Sequence, residues 1–107
     1  KYPGYKPDGY ALNGPIKFKS GEVTMRYAYA DGSSAYTITQ QKSNWNSSAV
    51  KEFFSEKHKS PNTTMIDGLT IYSGGKEAAW VNGGILYQIS GDANLSNDQI
   101  QKIATSL

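Results

Sequence analysis

The fold is decided by residues 77–107, which read EAAWVNGGILYQISGDANLSNDQIQKIATSL. Within them, Asn82-Gly83-Gly84 separates two apolar runs. Asn and Gly accept the positive φ of tight primed turns, so this pattern is the strongest local signal for a β-hairpin. Side chains alternate along a strand, which gives the predicted hairpin two faces. We expect the face with the larger side chains to be the main core face; it carries Ala78, Trp80, Ile85, Tyr87 and Ile89.

A helix is predicted at the end of the chain. Ser96 precedes Gln99 by three residues, the spacing of a capping box in which each side chain bonds the backbone N–H of the other residue. The apolar residues that follow recur at helical spacing: Ile100, Ile103, Ala104 and Leu107. We expect this apolar stripe to lie across the sheet face that carries Trp80 and Tyr87.

Earlier in the chain, alternating residues predict a second hairpin, with strands over 21–30 and 35–41. A short helix is predicted over 49–57, capped by Asn46, Ser47 or Ser48, and we expect it to cover an end of the sheet or to pack beside it. Residues 1–15 contain three of the four prolines, which favours an extended lead-in with at most a short strand at 9–12.

Asp67-Gly68 interrupts a run of strand formers and is either a tight turn or a β-bulge. With either alternative at Asp67-Gly68, the predicted elements together indicate an α+β fold. It consists of an antiparallel sheet of about five or six strands and two helices, the C-terminal helix being packed across one sheet face.

The composition restricts the classes of function. A chain of 107 residues forms one domain, and the absence of cysteine excludes disulfides and thiolate metal sites without indicating a compartment. A net charge of +2 is too small to indicate a nucleic-acid partner. No window reaches the roughly 20 apolar residues of a membrane span. The sequence starts at Lys1 without an initiator Met, so we expect it to be part of a longer protein.

We find no catalytic pattern in the sequence. His58 is the only histidine, and no nucleophile motif accompanies it. The acidic residues occur mainly in turns and on one helix flank, where solvated carboxylates are expected. The sequence therefore predicts a protein that is not an enzyme, with no catalytic residues, no metal site and no cofactor.

Three residues are candidates for binding a ligand or partner. Trp45 lies in a polar Ser- and Asn-rich loop, where it either contacts a ligand or folds back over Phe53 or Phe54. Arg26 alternates outward among small residues and threonines, where it either anchors an anionic group or pairs with an acid. Tyr36 belongs to a set of strand tyrosines that either line a pocket or fill the core.

Three segments resemble the domain-of-unknown-function family 4367: GLTIY from Gly68 to Tyr72, AWVNGGILYQISG from Ala79 to Gly91, and LSNDQIQKIATSL at the C-terminus. Domains of this family occur in exported or membrane-anchored proteins of Gram-positive bacteria, often as the C-terminal part of lipoproteins and anti-sigma-factor-like proteins. The resemblance implies that residues 1–107 are a single extracytoplasmic domain of an anchored cell-envelope protein, with no known enzymatic activity. Contact with the membrane is then expected only through an upstream anchor.

Two functions are compatible with these features. The first is a non-enzymatic sensing or binding module for a protein, a peptide or an envelope component. The alternative is a carrier of an apolar, lipid-like ligand held between the sheet and its helices. A hydrolase is a third hypothesis, which no motif supports.

Overall fold

The structure is a computed structural model that describes residues 4–57, 61–93 and 95–107. Its elements, in chain order, are β1 (Tyr10–Leu12), β2 (Lys17–Lys19), β3 (Glu22–Tyr29), β4 (Ala35–Lys42), α1 (Ser47–Lys57), β5 (Asn62–Ile66), β6 (Leu69–Gly74), β7 (Glu77–Asn82), β8 (Ile85–Gly91) and α2 (Asn97–Ser106). The strands form one antiparallel sheet in the order β1-β3-β4-β8-β7-β6-β5, and β2 also pairs with β3. The predicted α+β class, antiparallel sheet and two helices are confirmed.

The sheet has eight strands, so the predicted number of five or six is wrong. Asp67-Gly68 is a tight turn: both residues have positive φ, 49° and 79°, and Ile66 lies opposite Leu69. This turn makes β5 a separate strand. The other strand that sequence reasoning missed is β2, whose three residues are too few to show an alternating pattern.

The C-terminal helix covers the predicted core face. Its buried residues Ile100, Ile103 and Ala104 belong to the same apolar cluster as Trp80 and Tyr87. The capping box is present: the Ser96 Oγ accepts from the Gln99 N–H at 3.2 Å, and the Gln99 Oε1 accepts from the Ser96 N–H at 2.8 Å. The predicted C-terminal helix, its capping box and its position across this sheet face are confirmed.

The helix α1 lies on the face of the sheet opposite to α2, and the prediction that it covers an end of the sheet or packs beside it did not specify this face. Val50 and Phe54 pack against Tyr72, Ala79 and Leu86. The second face of the β7–β8 hairpin is also apolar at these positions, and the small side chain of Ala79 leaves room for the phenyl rings. The sheet is therefore packed on both sides, but α1 covers only the part made by β6, β7 and the adjoining end of β8.

No helix among residues 4–57, 61–93 and 95–107 is long and apolar enough to cross a membrane.

Candidate ligand-binding face

Beside α1, the sheet presents a row of polar side chains. Residues that lie opposite each other in an antiparallel pair point to the same face. Thr24 lies opposite Thr39, which lies opposite Gln88, and Gln88 lies opposite Ala79 beneath α1. The neighbouring row runs through Arg26, Thr37 and Ser90. We call these six residues the polar face: Thr24, Arg26, Thr37, Thr39, Gln88 and Ser90. All six are partly or fully exposed, because the helix on this side stops short of β3 and β4.

The wall of the polar face is aromatic. Trp45 packs on Phe53 of α1, with ring centroids 5.6 Å apart and the planes inclined at 56°. The Trp45 backbone N–H donates to the Ser43 Oγ at 3.0 Å, and the Asn46 Oδ1 caps α1 by accepting from the Ala49 N–H at 2.9 Å. Of the two interpretations of Trp45, the structure supports the one in which it folds back over Phe53. The indole still remains 37% exposed, so it is accessible to a ligand.

Two cavities adjoin this aromatic wall, and both are lined by Phe53 and Gln88. One has a volume of about 440 Å³ and includes Trp45 and Leu86 in its lining. The other has a volume of about 210 Å³ and reaches Ser90. The aromatic wall and the floor of the polar face therefore line the same concave surfaces.

The far end of the polar face is cationic. The Arg26 Nη1 donates to the Asn13 Oδ1, and the Asn13 N–H donates to the Arg26 carbonyl oxygen at 2.7 Å. The partner of Arg26 is thus a neutral amide instead of an acid, and no carboxylate of the described residues pairs with its charge. Lys17 and Arg26 line one cavity of about 300 Å³, whose described lining contains no acidic residue. This end of the face therefore suits a carboxylate or a phosphate.

Tyr36 does not belong to this face. It precedes Thr37 in β4, so strand alternation places it on the α2 side, where it is only 1% exposed. Its ring stacks on Tyr27 with centroids 5.2 Å apart, and its phenolic oxygen has no hydrogen-bond partner among the described residues. Burial, reinforced by the neighbouring tyrosines, raises the pKa of Tyr36. Of the two interpretations of this tyrosine, the structure supports the core residue.

The sequence did not identify four residues of the site: Asn13, Lys17, Gln88 and Ser90. Lys17 reaches the polar face only because β2 pairs with β3, which sets it opposite Thr24. No signal in the three residues of β2 indicates that pairing. Gln88 and Ser90, by contrast, could have been placed on this face from the alternation of the predicted β7–β8 hairpin.

Within the part of the chain that the structure describes, no group of three or more His, Asp or Glu side chains is placed to hold a metal ion. His58 lies outside the described residues.

A family model, the domain of unknown function DUF4367, matches residues 1–107, and the chain therefore belongs to this family. No curated protein and no solved structure matches it. The resemblance found in the sequence is confirmed, and the family brings no assigned activity.

Proposed function

We propose that this domain is a non-enzymatic, extracytoplasmic sensing or binding module of a membrane-anchored bacterial protein, and that the polar face is its binding surface. The location and the anchor are inferred from what resemblance to the family implies. The binding surface is inferred from the geometry of the domain. The observation that carries it is a continuous polar strip of sheet, left open by α1, with an aromatic wall at one end and, at the other, two cations beside a cavity whose described lining contains no acidic residue.

The residue types of the face indicate the chemistry of the ligand. Hydroxyl and amide side chains both donate and accept hydrogen bonds, so the floor suits a polar chain with many such groups. The exposed edge of Trp45 provides apolar contact area that needs no side-chain ordering, because Phe53 already holds the indole. The guanidinium of Arg26 recognises a carboxylate or a phosphate in two parallel hydrogen bonds. An extended envelope component with an anionic group fits all three features.

The alternative, a carrier of an apolar ligand, has less support. Such a ligand needs room between the sheet and a helix, as in an apolar cavity of roughly 300 Å³ or more. Between α2 and the sheet, that space is occupied by side chains: Trp80 is 1% exposed and Ile103 is fully buried. The cavities beside α1 are lined in part by polar residues such as Gln88.

The proposal is tested by binding of soluble Gram-positive cell-wall fragments to the immobilised domain. We expect Trp45→Ala and Arg26→Gln each to weaken capture by about tenfold or more. The matched control is Phe18→Ser, which removes an aromatic ring that is 77% exposed on the other side of the sheet. This control should bind like the parent protein.

Each variant also needs its free energy of unfolding in urea, because a loss of capture has meaning only when the fold is unchanged. If Trp45→Ala and Arg26→Gln remain folded and capture the same fragments as well as the parent, the polar face is not the binding surface.

A further inference from the structure

The two edges of the sheet differ in how they are protected against pairing with another strand. At one edge, β1 and β2 have three residues each, and β2 consists of Lys17, Phe18 and Lys19. Short strands and lysines are the usual protection of a sheet edge. At the other edge, β5 has five residues, NTTMI, with no charge and no proline, and Met65 is 79% exposed. Among the described residues, no strand pairs with the outer edge of β5, which leaves this edge available to a further strand.

The hairpin geometry shows which backbone groups of β5 are available. In a hairpin with a two-residue turn, the residues that flank the turn form a hydrogen-bonded pair, and such pairs alternate along the ladder. Ile66 lies opposite Leu69 across Asp67-Gly68, and Thr64 lies opposite Ile71. These two residues of β5 therefore bond to β6, whereas Thr63 and Met65 direct their N–H and C=O groups away from the sheet. No backbone partner among the described residues meets them there.

We propose that β5 pairs antiparallel with β5 of a second copy of this chain, with Thr64 on the two-fold axis. In that register, Thr63 lies opposite Met65 of the second copy, and each of these residues exchanges both of its free backbone groups with the other. The two-fold axis repeats the pair, so every outward-facing N–H and C=O of Thr63 and Met65 in both copies is bonded.

The neighbouring registers do not bond all of the outward-facing N–H and C=O groups of Thr63 and Met65. An axis through Thr63 sets Met65 opposite Pro61, which has no N–H. An axis through Met65 sets Thr63 opposite Asp67, which is part of the turn. Pro61 and the turn thus limit the pairing to the length of β5. A single strand that supplies all the complementary groups, in a single register, is what a symmetric contact between identical copies requires.

The side chains are compatible with this arrangement. An axis perpendicular to the sheet joins like faces, so the exposed Met65 lies beside Thr63 of the second copy and loses contact with water. Thr64 lies directly opposite its own symmetry mate in a non-hydrogen-bonded pair, where Cα atoms are about 4.5 Å apart and Thr–Thr pairs are favourable. No like charges meet, because β5 carries none.

Cysteine substitution tests the register directly, because the chain contains no cysteine. Two cysteines with Cα atoms at about 4.5 Å are within reach of a disulfide. We expect Thr64→Cys to form a covalent dimer under mild oxidation. The control Ser20→Cys, exposed at the opposite end of the strand order, should stay largely monomeric. Equal rates of cross-linking for the two variants, or none for Thr64→Cys, would overturn the proposal.

A second variant tests the hydrogen bonds. Met65→Pro removes an N–H that faces away from β6, so the internal ladder is kept, as is usual for proline on an edge strand. Sedimentation equilibrium from micromolar to millimolar protein should show a monomer–dimer equilibrium for the parent and for Met65→Gln. We expect Met65→Pro to raise the dissociation constant of the dimer by about tenfold or more, since two hydrogen bonds are lost per dimer. If the parent stays monomeric across this range, pairing between copies is refuted. The same holds if the parent is monomeric and its β5 edge binds an unrelated extended peptide instead.

Discussion

Trp80 and Tyr87 stack beneath α2 with nearly parallel planes, inclined at only 10°, and ring centroids 5.4 Å apart. They lie opposite each other in the β7–β8 pair, and both are almost completely buried, at 1% and 4% exposed. The stack lies in the same cluster as Ile100 and Ile103, so it joins the terminal hairpin to the terminal helix. The stability of the domain should depend on it more than on any polar residue of the binding face.

Replacement of Trp80 by Ala should lower the free energy of unfolding by about 3–5 kcal/mol, because it removes the largest fully buried side chain and leaves a cavity under α2. Trp45→Ala is the matched control: the same atoms are removed from a side chain that is 37% exposed, and the loss should be about 1 kcal/mol. Urea denaturation monitored by far-ultraviolet circular dichroism measures both. Similar losses for the two variants would contradict the central role of the stack.

The elements that were predicted correctly have strong local signals. The capping box of Ser96, the glycine turn after Asn82 and the alternation in 21–30 each concern residues that are close in sequence, and the structure keeps all three. The strand β2 has no such signal, because it exists only through its pairing with β3. The location of α1 also depends on contacts between distant residues, Phe54 with Leu86 among them. Local patterns cannot specify which face of the sheet a helix selects.

In the candidate site, too, the residues placed by local patterns were predictable and those placed by contacts between distant residues were not. Alternation alone places Arg26 and its neighbouring threonines on one face, and the structure brings Trp45 to that side of the sheet. Tyr36 is a candidate only as one of several strand tyrosines, and its position next to Thr37 in β4 directs it to the opposite face. Lys17 enters the site through a strand that the sequence does not reveal. Residue type is thus a weaker guide to a site than strand parity.

Gly91 permits a close backbone approach between the end of β8 and the start of β4. Its φ is 120°, and a Cβ atom there would lie 2.6 Å from the Ala35 carbonyl oxygen. The N–H groups of Asp92 and Ala93 donate to that oxygen at 3.1 and 3.0 Å, and the Asp92 Oδ1 accepts from the Ala35 N–H at 2.8 Å. Gly91→Ala should therefore disturb all of these bonds and lower the free energy of unfolding by about 2 kcal/mol or more.

The control for this change is Gly14→Ala. Gly14 also has a positive φ, 81°, but an added Cβ would meet nothing within 4 Å. The free energy of unfolding of Gly14→Ala should therefore fall only by the conformational cost of a positive φ, about 1–2 kcal/mol. If thermal and urea unfolding give the same loss for both variants, the contact with Ala35 is not what requires glycine at position 91.

Tyr36 should make the stability of the domain depend on alkaline pH. Burial raises the pKa of Tyr36 in the folded state, with a smaller contribution from Tyr27 and Tyr10. The folded state keeps the phenolic proton to a higher pH than the unfolded chain, whose tyrosines titrate near pH 10. The stabilisation is fully present below that pH and is lost as the pH rises above it. Urea unfolding between about pH 8 and 11 should show the decline.

Tyr36→Phe should be as stable as the parent at neutral pH, or more stable, because the buried hydroxyl has no hydrogen-bond partner among the described residues. Its stability should also fall less steeply above about pH 10, and the remaining decline includes Tyr87, whose pKa burial also raises. Tyr29→Phe, at a site that is 41% exposed, is the control for the loss of a tyrosine hydroxyl. Identical alkaline profiles for Tyr36→Phe and the parent would show that Tyr36 is not responsible.

The capping box of α2 should be needed for the helix to hold its apolar stripe on the sheet. The helix has only ten residues, Asn97–Ser106, a length that is marginal without tertiary contacts and caps. Ser96→Ala removes the acceptor for the Gln99 N–H and should cost about 1 kcal/mol. Ser96→Asp keeps an acceptor and adds a negative charge at the helix N-terminus, so it should restore the stability of the parent protein. If Asp and Ala at position 96 give the same free energy of unfolding, the side chain of Ser96 does not stabilise the helix, and packing of Ile100 and Ile103 alone fixes α2 on the sheet.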